Sequence, residues 1–310
     1  MNYLNNQIHQ RILTKKAKLD SHRPPSTPIV KKLHENLEIN YTYNTNAIEG
    51  NTLTLRETQL VIRQGITIRG KSLSEHLEAK NHPVAIAYIE NLVNTQLEEA
   101  NLLELHCILF NGFCEGAGNY RNGQVYIEGR DHMPPPAFEV PQLMAELLDW
   151  LRRNPEELRP IELAAIFHHR FVAIHPFDDG NGRIGRLLMN LQLIKSGYPL
   201  TIIKTVDRRR YYDSLIKADN GNPAPLVNFV ARCVEQSLDI YLGAVEASQP
   251  GNKLLSLAEA AKNTPYSQEY LSLLARRGLI GAVKVGRNWK ITQKALDEYT
   301  SNLLKTKSMQ

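Results

Sequence analysis

Apolar positions recur at intervals of three and four along most of the 310-residue chain, and strand-like alternation is confined to two short places. This pattern predicts a mostly α protein. One helix should run from near Ile29 to Gly50. It follows the breaker-rich stretch His22-Arg-Pro-Pro-Ser-Thr-Pro28, which separates it from a polar leader, and glycine after a periodic run is a usual helix stop. Thr54-Leu-Arg-Glu57 reads as a capping box opening the next helix. Pro160 should open another, with Leu163, Ile166, Phe167, Phe171 and Ile174 on one face; it must end before His175-Pro176, because the residue preceding proline is pushed out of the α region. Between these helices, Asn119-Tyr-Arg-Asn-Gly-Gln-Val-Tyr-Ile127 carries an Asn122-Gly123 turn among strand formers and predicts a β-hairpin, with Met133-Pro-Pro-Pro136 as a rigid loop behind it.

Ser248-Gln-Pro-Gly-Asn252 is the best domain boundary. Beyond it, Ser256 to Lys262 and Ser267 to Arg277 read as two short helices. Gly278 to Gly286 and Trp289 to Thr292 read as paired strands, followed by a last helix, which is the outline of a winged-helix (helix-turn-helix) module. The expected organisation is a leader and helix over 1–50, a helical core over 51–247, and a linker with a winged-helix-like domain over 248–310.

Composition narrows the class. With 42% hydrophobic, 22% charged and 7% aromatic residues the chain can bury a core and is neither fibrous nor disordered. Lys plus Arg total 37 against 32 acidic residues, a net charge of +5, which suits an anionic ligand such as a nucleotide or nucleic acid. Cys107, Cys114 and Cys233 lack metal-ligand spacing, and each lies in an apolar setting; buried thiols in a reducing, cytoplasmic compartment are expected. The first twenty residues carry no apolar signal-like run, and the most apolar segment, Leu226 to Val245, is broken by Arg232, Glu235 and Asp239. No membrane association is expected.

The chemistry concentrates in His175-Pro-Phe-Asp-Asp-Gly-Asn-Gly-Arg-Ile-Gly-Arg186. A helix ends at a histidine, a turn of Gly, Asn and Asp follows, and Ile184, Leu187, Leu188, Leu191 and Ile194 mark a second helix. Gly180-Asn181-Gly182 therefore sits at a helix N-terminus, where free N–H groups and the dipole favour an anion and glycine admits phosphate oxygens closely. Arg183 and Arg186, three apart, could clamp a polyphosphate. Asp179 is placed to hold Mg2+ against phosphate oxygens, and His175 can accept a proton near neutral pH. A capped turn with surface arginines is the structural alternative, which the joint occurrence of these groups disfavours.

This segment resembles the signature of the Fic (filamentation induced by cAMP) family, His-x-Phe-x-Asp/Glu-Gly-Asn-Gly-Arg-x-x-Arg, at every defined position. The resemblance runs from roughly Thr45 to Leu242. It implies a Fic-type helical bundle with a β-hairpin flap, and an enzyme that moves AMP from ATP to a Ser, Thr or Tyr hydroxyl and releases pyrophosphate. His175 would be the base and Asp179 the Mg2+ ligand, while Gly180, Asn181, Gly182, Arg183, Ile184, Gly185 and Arg186 would surround the nucleotide. The physical reading alone does not choose AMP transfer over phosphoryl transfer.

Thr45-Asn-Ala-Ile-Glu49-Gly50-Asn51 places a carboxylate at a helix C-terminus, where the dipole disfavours it, so Glu49 would be better placed facing a cation. A solvated Glu beside a Gly cap is the plain alternative. The segment resembles the Ser/Thr-x-x-x-Glu-Gly/Asn inhibitory motif of Fic proteins whose inhibitory helix precedes the core. That likeness implies that Glu49 pairs with Arg186 and takes the space of the ATP γ-phosphate, and that the same carboxylate can serve AMP removal.

On the target side, the hairpin resembles the family's flap, which docks a protein target by strand addition, with Val125 and Tyr126 near nucleotide or target. Arg210-Tyr-Tyr-Asp-Ser-Leu215 resembles the helix whose tyrosines approach the nucleoside, so Tyr211 and Tyr212 are candidates, as is Asn220; either tyrosine could equally be core. Gly70-Lys-Ser-Leu73 resembles a homodimer contact, a buried core leucine being the alternative. His168, His169 and Glu162 suggest a structural role, because adjacent helical histidines point to different faces. The leading reading is an autoinhibited AMP transferase; the alternatives are an enzyme that removes AMP and a DNA-binding regulator working through Leu254 to Tyr299 with Arg276, Arg277, Lys284, Arg287 and Lys290.

Overall fold

The computed structural model describes residues 3–21, 28–127, 132–248, 254–262, 264–276 and 280–300, except 281, 286–287, 294 and 298. Among the described residues ten α-helices precede the C-terminal sheet: α1 Asn6–Asp20, α2 Pro28–Ile48, α3 Leu55–Gln64, α4 Leu73–Asn91, α5 Glu99–Leu109, α6 Val140–Arg153, α7 Pro160–Ile174, α8 Asn181–Lys195, α9 Arg208–Asp219 and α10 Ala224–Ser248. The chain forms two compact units. One comprises Glu35–Ser237 with the described residues up to Leu13; the other comprises Thr14–His34 with the described residues from Leu238 onward.

In the first unit α7 and α8 form the centre. Phe167, Phe171, Ile184, Leu187, Leu188 and Leu191 are fully or nearly fully buried, so the apolar face expected of each helix is the one that packs. The approach is tight: a Cβ on Gly185 would lie 2.8 Å from His168 Nδ1 and 2.9 Å from Val172 Cγ1. Only glycine lets these backbones come so close. Thr54 and Glu57 form the expected capping box of α3, and Ser72 with Glu75 forms another on α4. Burial pushes the Glu75 carboxyl up, but hydrogen bonds from Thr52 and Ser72 outweigh it and hold the group at about 2.

Three expectations are corrected. The polar leader is itself a helix, α1: Leu4, Ile8 and Ile12 repeat every four residues and are buried, and the N–H groups of Tyr3 and Leu4 donate to Glu162 Oε1 at 2.8 and 2.9 Å. Of the cysteines only Cys233 is buried. Cys107 lies on the outer face of α5, opposite the buried Leu102, Leu105 and Leu109, and Cys114 sits in the turn that follows. No strand pairing forms among the described residues of the hairpin segment, 119–127. Side chains meet the Gly123 and Val125 carbonyls instead: Arg121 Nη1 donates to Gly123 O at 2.9 Å, and Gln124 Nε2 to Val125 O and, beyond the segment, to Pro134 O.

In the second unit, β1 Leu254–Ser256, α11 Leu257–Lys262, α12 Gln268–Arg276, β2 Ala282–Val285 and β3 Asn288–Thr292 follow in order. The strands form an antiparallel sheet of order β1-β3-β2, with Leu255 opposite Ile291 and Val283 opposite Lys290. Leu257, Ala260, Leu271, Leu274, Ile291 and Leu296 close a small core. Arg277 and Arg287, like most of the proposed linker, lie outside the described residues. No helix among the described residues is long and apolar enough to cross a membrane.

Candidate active site

The site is a turn between two antiparallel helices. His175 ends α7 in the left-handed region (φ 53°, ψ 59°), its N–H donating to Phe171 O at 3.1 Å. Six residues later α8 begins, with Gly180 as its cap at φ 80°. Glycine is required there for conformation and for space, since a Cβ would stand 2.3 Å from Phe110 Cε2. The first hydrogen bond of α8 runs from Ile184 N–H to Gly180 O at 2.9 Å. The N–H groups of Asn181, Gly182 and Arg183 therefore precede the helix ladder and form the positive end of its dipole. Asn181 closes the loop with its side chain, accepting from Phe177 N–H at 2.9 Å and donating to Phe177 O at 2.8 Å. It can offer a ligand only its main chain.

The turn rests on an aromatic stack. His106 lies between Phe110 and Phe177, with ring centroids 4.6 and 4.0 Å away. Its Nδ1 accepts from Gly118 N–H at 2.8 Å, so Nε2 carries the proton and faces Asp179 O at 3.3 Å. Burial pushes its pKa down to about 4, which keeps this ring neutral and packed.

Both motif arginines are buried, Arg183 at 2% and Arg186 at 1% relative exposure, and each is matched by carboxylates. Arg186 Nη1 lies 2.7 Å from Glu49 Oε1, while its Nε and Nη2 donate to Thr45 Oγ1 and Thr45 O at 2.8 and 3.0 Å. Burial alone would lower the Arg186 pKa, but the Glu49 charge overrides this and raises it. Arg183 lies 2.6 Å from Glu78 Oε1 and 2.9 Å from Asp179 Oδ2, with its guanidinium over the Phe110 ring.

Glu49 thus faces a buried cation rather than solvent alone. It leaves the unfavourable end of α2, whose last carbonyl, Ile48 O, accepts from Arg208 Nε at 2.8 Å, and enters the favourable end of α8. A Cβ on Gly182 would lie 2.2 Å from Glu49 Oε1. The carboxylate therefore sits directly on the glycine of the anion cradle.

Other sequence candidates fall elsewhere. Ile184 is in the core and Gly185 packs on α7, and both belong to the α8 ladder, so neither presents a polar group to a ligand. Tyr211 is core, 1% exposed, with its hydroxyl 2.6 Å from His168 Nε2 and its ring near Phe229; the half-buried Tyr212 lies beneath Arg208. Asn220 caps the far end of α9, donating to Ile216 O, and Val125 is half-buried in the unpaired segment. His169 pairs with Asp219 at 2.9 Å and Glu162 caps α7, so both are structural. Leu73 is 70% exposed rather than core.

Two residues that the sequence did not single out complete the site. Arg121, 2% exposed, donates through Nε to His175 O at 2.8 Å, and its own N–H donates to Pro176 O at 2.9 Å. Glu78 holds Arg183. Arg121 lies in the predicted hairpin, where nothing local marks it for the site, and Glu78 lies in no motif; only the approach of distant elements reveals their roles.

Fold and site define a helical protein with an anion cradle between two central helices and a carboxylate seated on it. The Fic/DOC family profile matches residues 96–193. Among curated relatives, the protein adenylyltransferase Fic of Nematostella vectensis is 37% identical over 246 residues, covering 78% of this chain and 57% of its own length. That of Culex quinquefasciatus is 39% identical over 228 residues, covering 71% and 45%. Among solved structures, Fic-1 (residues 134–508) from C. elegans superposes with TM-score 0.68 at 32% identity, covering 76% of this chain and 71% of that one. A Fic domain containing signaling protein from Bacteroides thetaiotaomicron VPI-5482 gives 0.72 at 29%, covering 77% and 99%. The chain belongs to the Fic/DOC family. It spans about half the length of the curated relatives it matches.

Proposed function

We propose that this chain is a protein adenylyltransferase, moving AMP from ATP to a Ser, Thr or Tyr hydroxyl of a target protein, itself included, and that Glu49 holds it in restraint. The observation that carries the reading is the Glu49–Arg186 pair seated on Gly182: a protein anion fills the cradle that the ATP phosphates would take. The relatives' names, protein adenylyltransferase, support the reaction class.

In this reading the N–H groups of Asn181 and Gly182 and the guanidinium of Arg183 receive phosphate oxygens. His175 Nδ1 faces Val172 O at 3.3 Å; a proton on Nδ1 places the lone pair on Nε2, which accepts the target's hydroxyl proton. The hydroxyl oxygen then bonds to the α-phosphorus, the bridge to the β-phosphate breaks, and pyrophosphate leaves with the electron pair. Asp179 fits a Mg2+ ligand: its carboxylate is 70% exposed at the lip of the cradle and offers the hard oxygen that this cation prefers. Bound there, Mg2+ would neutralise phosphate charge.

The test is transfer from α-labelled ATP with Mg2+ by wild type, Glu49→Gly and His175→Ala, with the protein itself and a cell lysate as acceptors. Label that strengthens in Glu49→Gly and vanishes in His175→Ala supports the assignment. Removal of AMP is the second reading, favoured by the 29% exposure of the Glu49 side chain, which lets the carboxylate reach a water. Pre-labelled target losing AMP only when Glu49 is present would select it. A homodimer through the exposed Leu73 and DNA contact through the second unit remain subordinate proposals, checked by sedimentation of Leu73→Asp and by a salt-sensitive gel shift.

A further inference from the structure

We propose that Glu78, on α4, is the positioning residue of Arg183, and that its charge is what frees Asp179 to serve a metal ion. The inference rests on reading Arg183 and Asp179 as the phosphate and metal groups of the site.

Arg183 is 2% exposed, so water cannot solvate its charge and anions must. Two carboxylates touch it, and they are unalike. Asp179 lies at the solvent edge, 70% exposed, with Oδ2 on Arg183 Nη2 and Oδ1 accepting from the neighbouring Gly180 N–H at 2.5 Å, so water can replace its partners when it turns. Glu78 is 17% exposed and tied at both oxygens, Oε1 to Arg183 Nη1 at 2.6 Å and Oε2 accepting from Asn51 Nδ2 at 2.8 Å. Asn51 in turn donates to Glu75 O at 3.1 Å, so the tie is anchored to α4 itself. Phe110 supports the guanidinium from one face.

If both anions were needed to keep Arg183 charged in its buried place, Asp179 could not turn toward a cation without leaving an uncompensated charge behind. With Glu78 fixed, the cost of that movement falls, because one carboxylate remains on Nη1 when Asp179 vacates Nη2. The vacated Nη2 edge is then open to a phosphate oxygen. Glu78 therefore does two things: it fixes the plane of the guanidinium, and it makes Asp179 exchangeable. Asn51, two residues beyond Glu49, extends the same network to the turn that carries Glu49, so both motif arginines are held from one segment.

The experiment measures ATP binding by calorimetry in a Glu49→Gly/His175→Ala parent, which removes the restraint and stops turnover. It is run once in EDTA and once in excess Mg2+. The readout is the ratio of the two Kd values, which reports how much the metal tightens ATP. Glu78→Gln keeps the volume and removes the charge, leaving Asp179 as the one carboxylate touching Arg183. The expected result is a ratio about tenfold smaller than the parent's, the scale of outer-shell substitutions at metal sites, with Kd in EDTA unchanged or tighter. Asn51→Ala, which loosens Glu78 but keeps its charge, should lower the ratio by a smaller factor. A purely structural role for Glu78 would weaken both Kd values together and preserve the ratio, and that outcome overturns the proposal. If the parent binds ATP in neither buffer, the adenylyltransferase reading falls as well; binding with an unchanged ratio in Glu78→Gln removes only the role of Glu78.

Discussion

Replacing Glu49 by glycine separates the two roles of the Arg186 pair most sharply. Two unit charges 2.7 Å apart attract by roughly 6 kcal/mol at an effective dielectric of ~20. Part of this is offset on displacement, because the Glu49 side chain is already 29% exposed to water and Arg186 retains both Thr45 hydrogen bonds. Moving the carboxylate off the cradle should therefore cost about 3 kcal/mol, the lower end for a buried pair, or about a hundredfold in the population open to ATP. Initial rates of label transfer at subsaturating ATP should rise by about that factor in Glu49→Gly. The same substitution leaves Arg186 buried without its anion, so the unliganded protein should unfold at lower temperature while ATP should stabilise the variant more than wild type. Equal transfer rates and equal ATP stabilisation in the two proteins would refute the argument, because the pair would then not compete with the nucleotide.

Further outcomes follow from the same contacts. Arg121→Lys should lower kcat by more than tenfold with little change in ATP affinity, because lysine cannot reproduce the forked donation to His175 O and Gly123 O; single-turnover labelling beside calorimetry would check this. Gly180→Ala should destabilise the fold by about 3 kcal/mol, through positive φ and the clash with Phe110, as read by urea unfolding; a loss below ~1 kcal/mol would contradict the packing. Burial, with the charges of Arg186 and Arg183, holds the His82 pKa down to about 3. A depressed pKa means that the unfolded state takes up the proton first, so stability is fully present above the unfolded value near 6.5 and falls as pH drops toward 3. His82 alone should remove about 2 kcal/mol between pH 7.5 and pH 5, and His82→Asn should flatten that slope in urea titrations at the two pH values.

Much of this protein was legible in its sequence because local rules govern it. The 3.6-residue periodicity located α7 and α8. The preference of proline and glycine for particular backbone states ended one at His175 and opened the other at Gly180. The spacing of His175, Asp179, Gly182, Arg183 and Arg186 gathers these residues at the turn and the first residues of α8. Local preference misled in two places, where the composition of a segment did not say what its groups would face. Asn122-Gly123 favours a turn, but a hairpin needs a ladder, and the Gly123 and Val125 carbonyls are met by Arg121 and Gln124 instead. Cys107 has apolar neighbours in sequence but stands on the outer face of its helix.

Local rules could not say which charges meet. Glu49 lies 137 positions from Arg186, and Glu78 lies 105 from Arg183, yet they close to 2.7 and 2.6 Å. Burying two arginines is tolerable only if anions are brought to them, and the packing of α2 and α4 against α8 decides which anions those are. The sequence alone therefore determined the central helices and the turn between them, and it pointed to an anion as the ligand of that turn. Tertiary structure alone decided that the cradle is filled from within, because an ion pair depends on distance through space rather than along the chain.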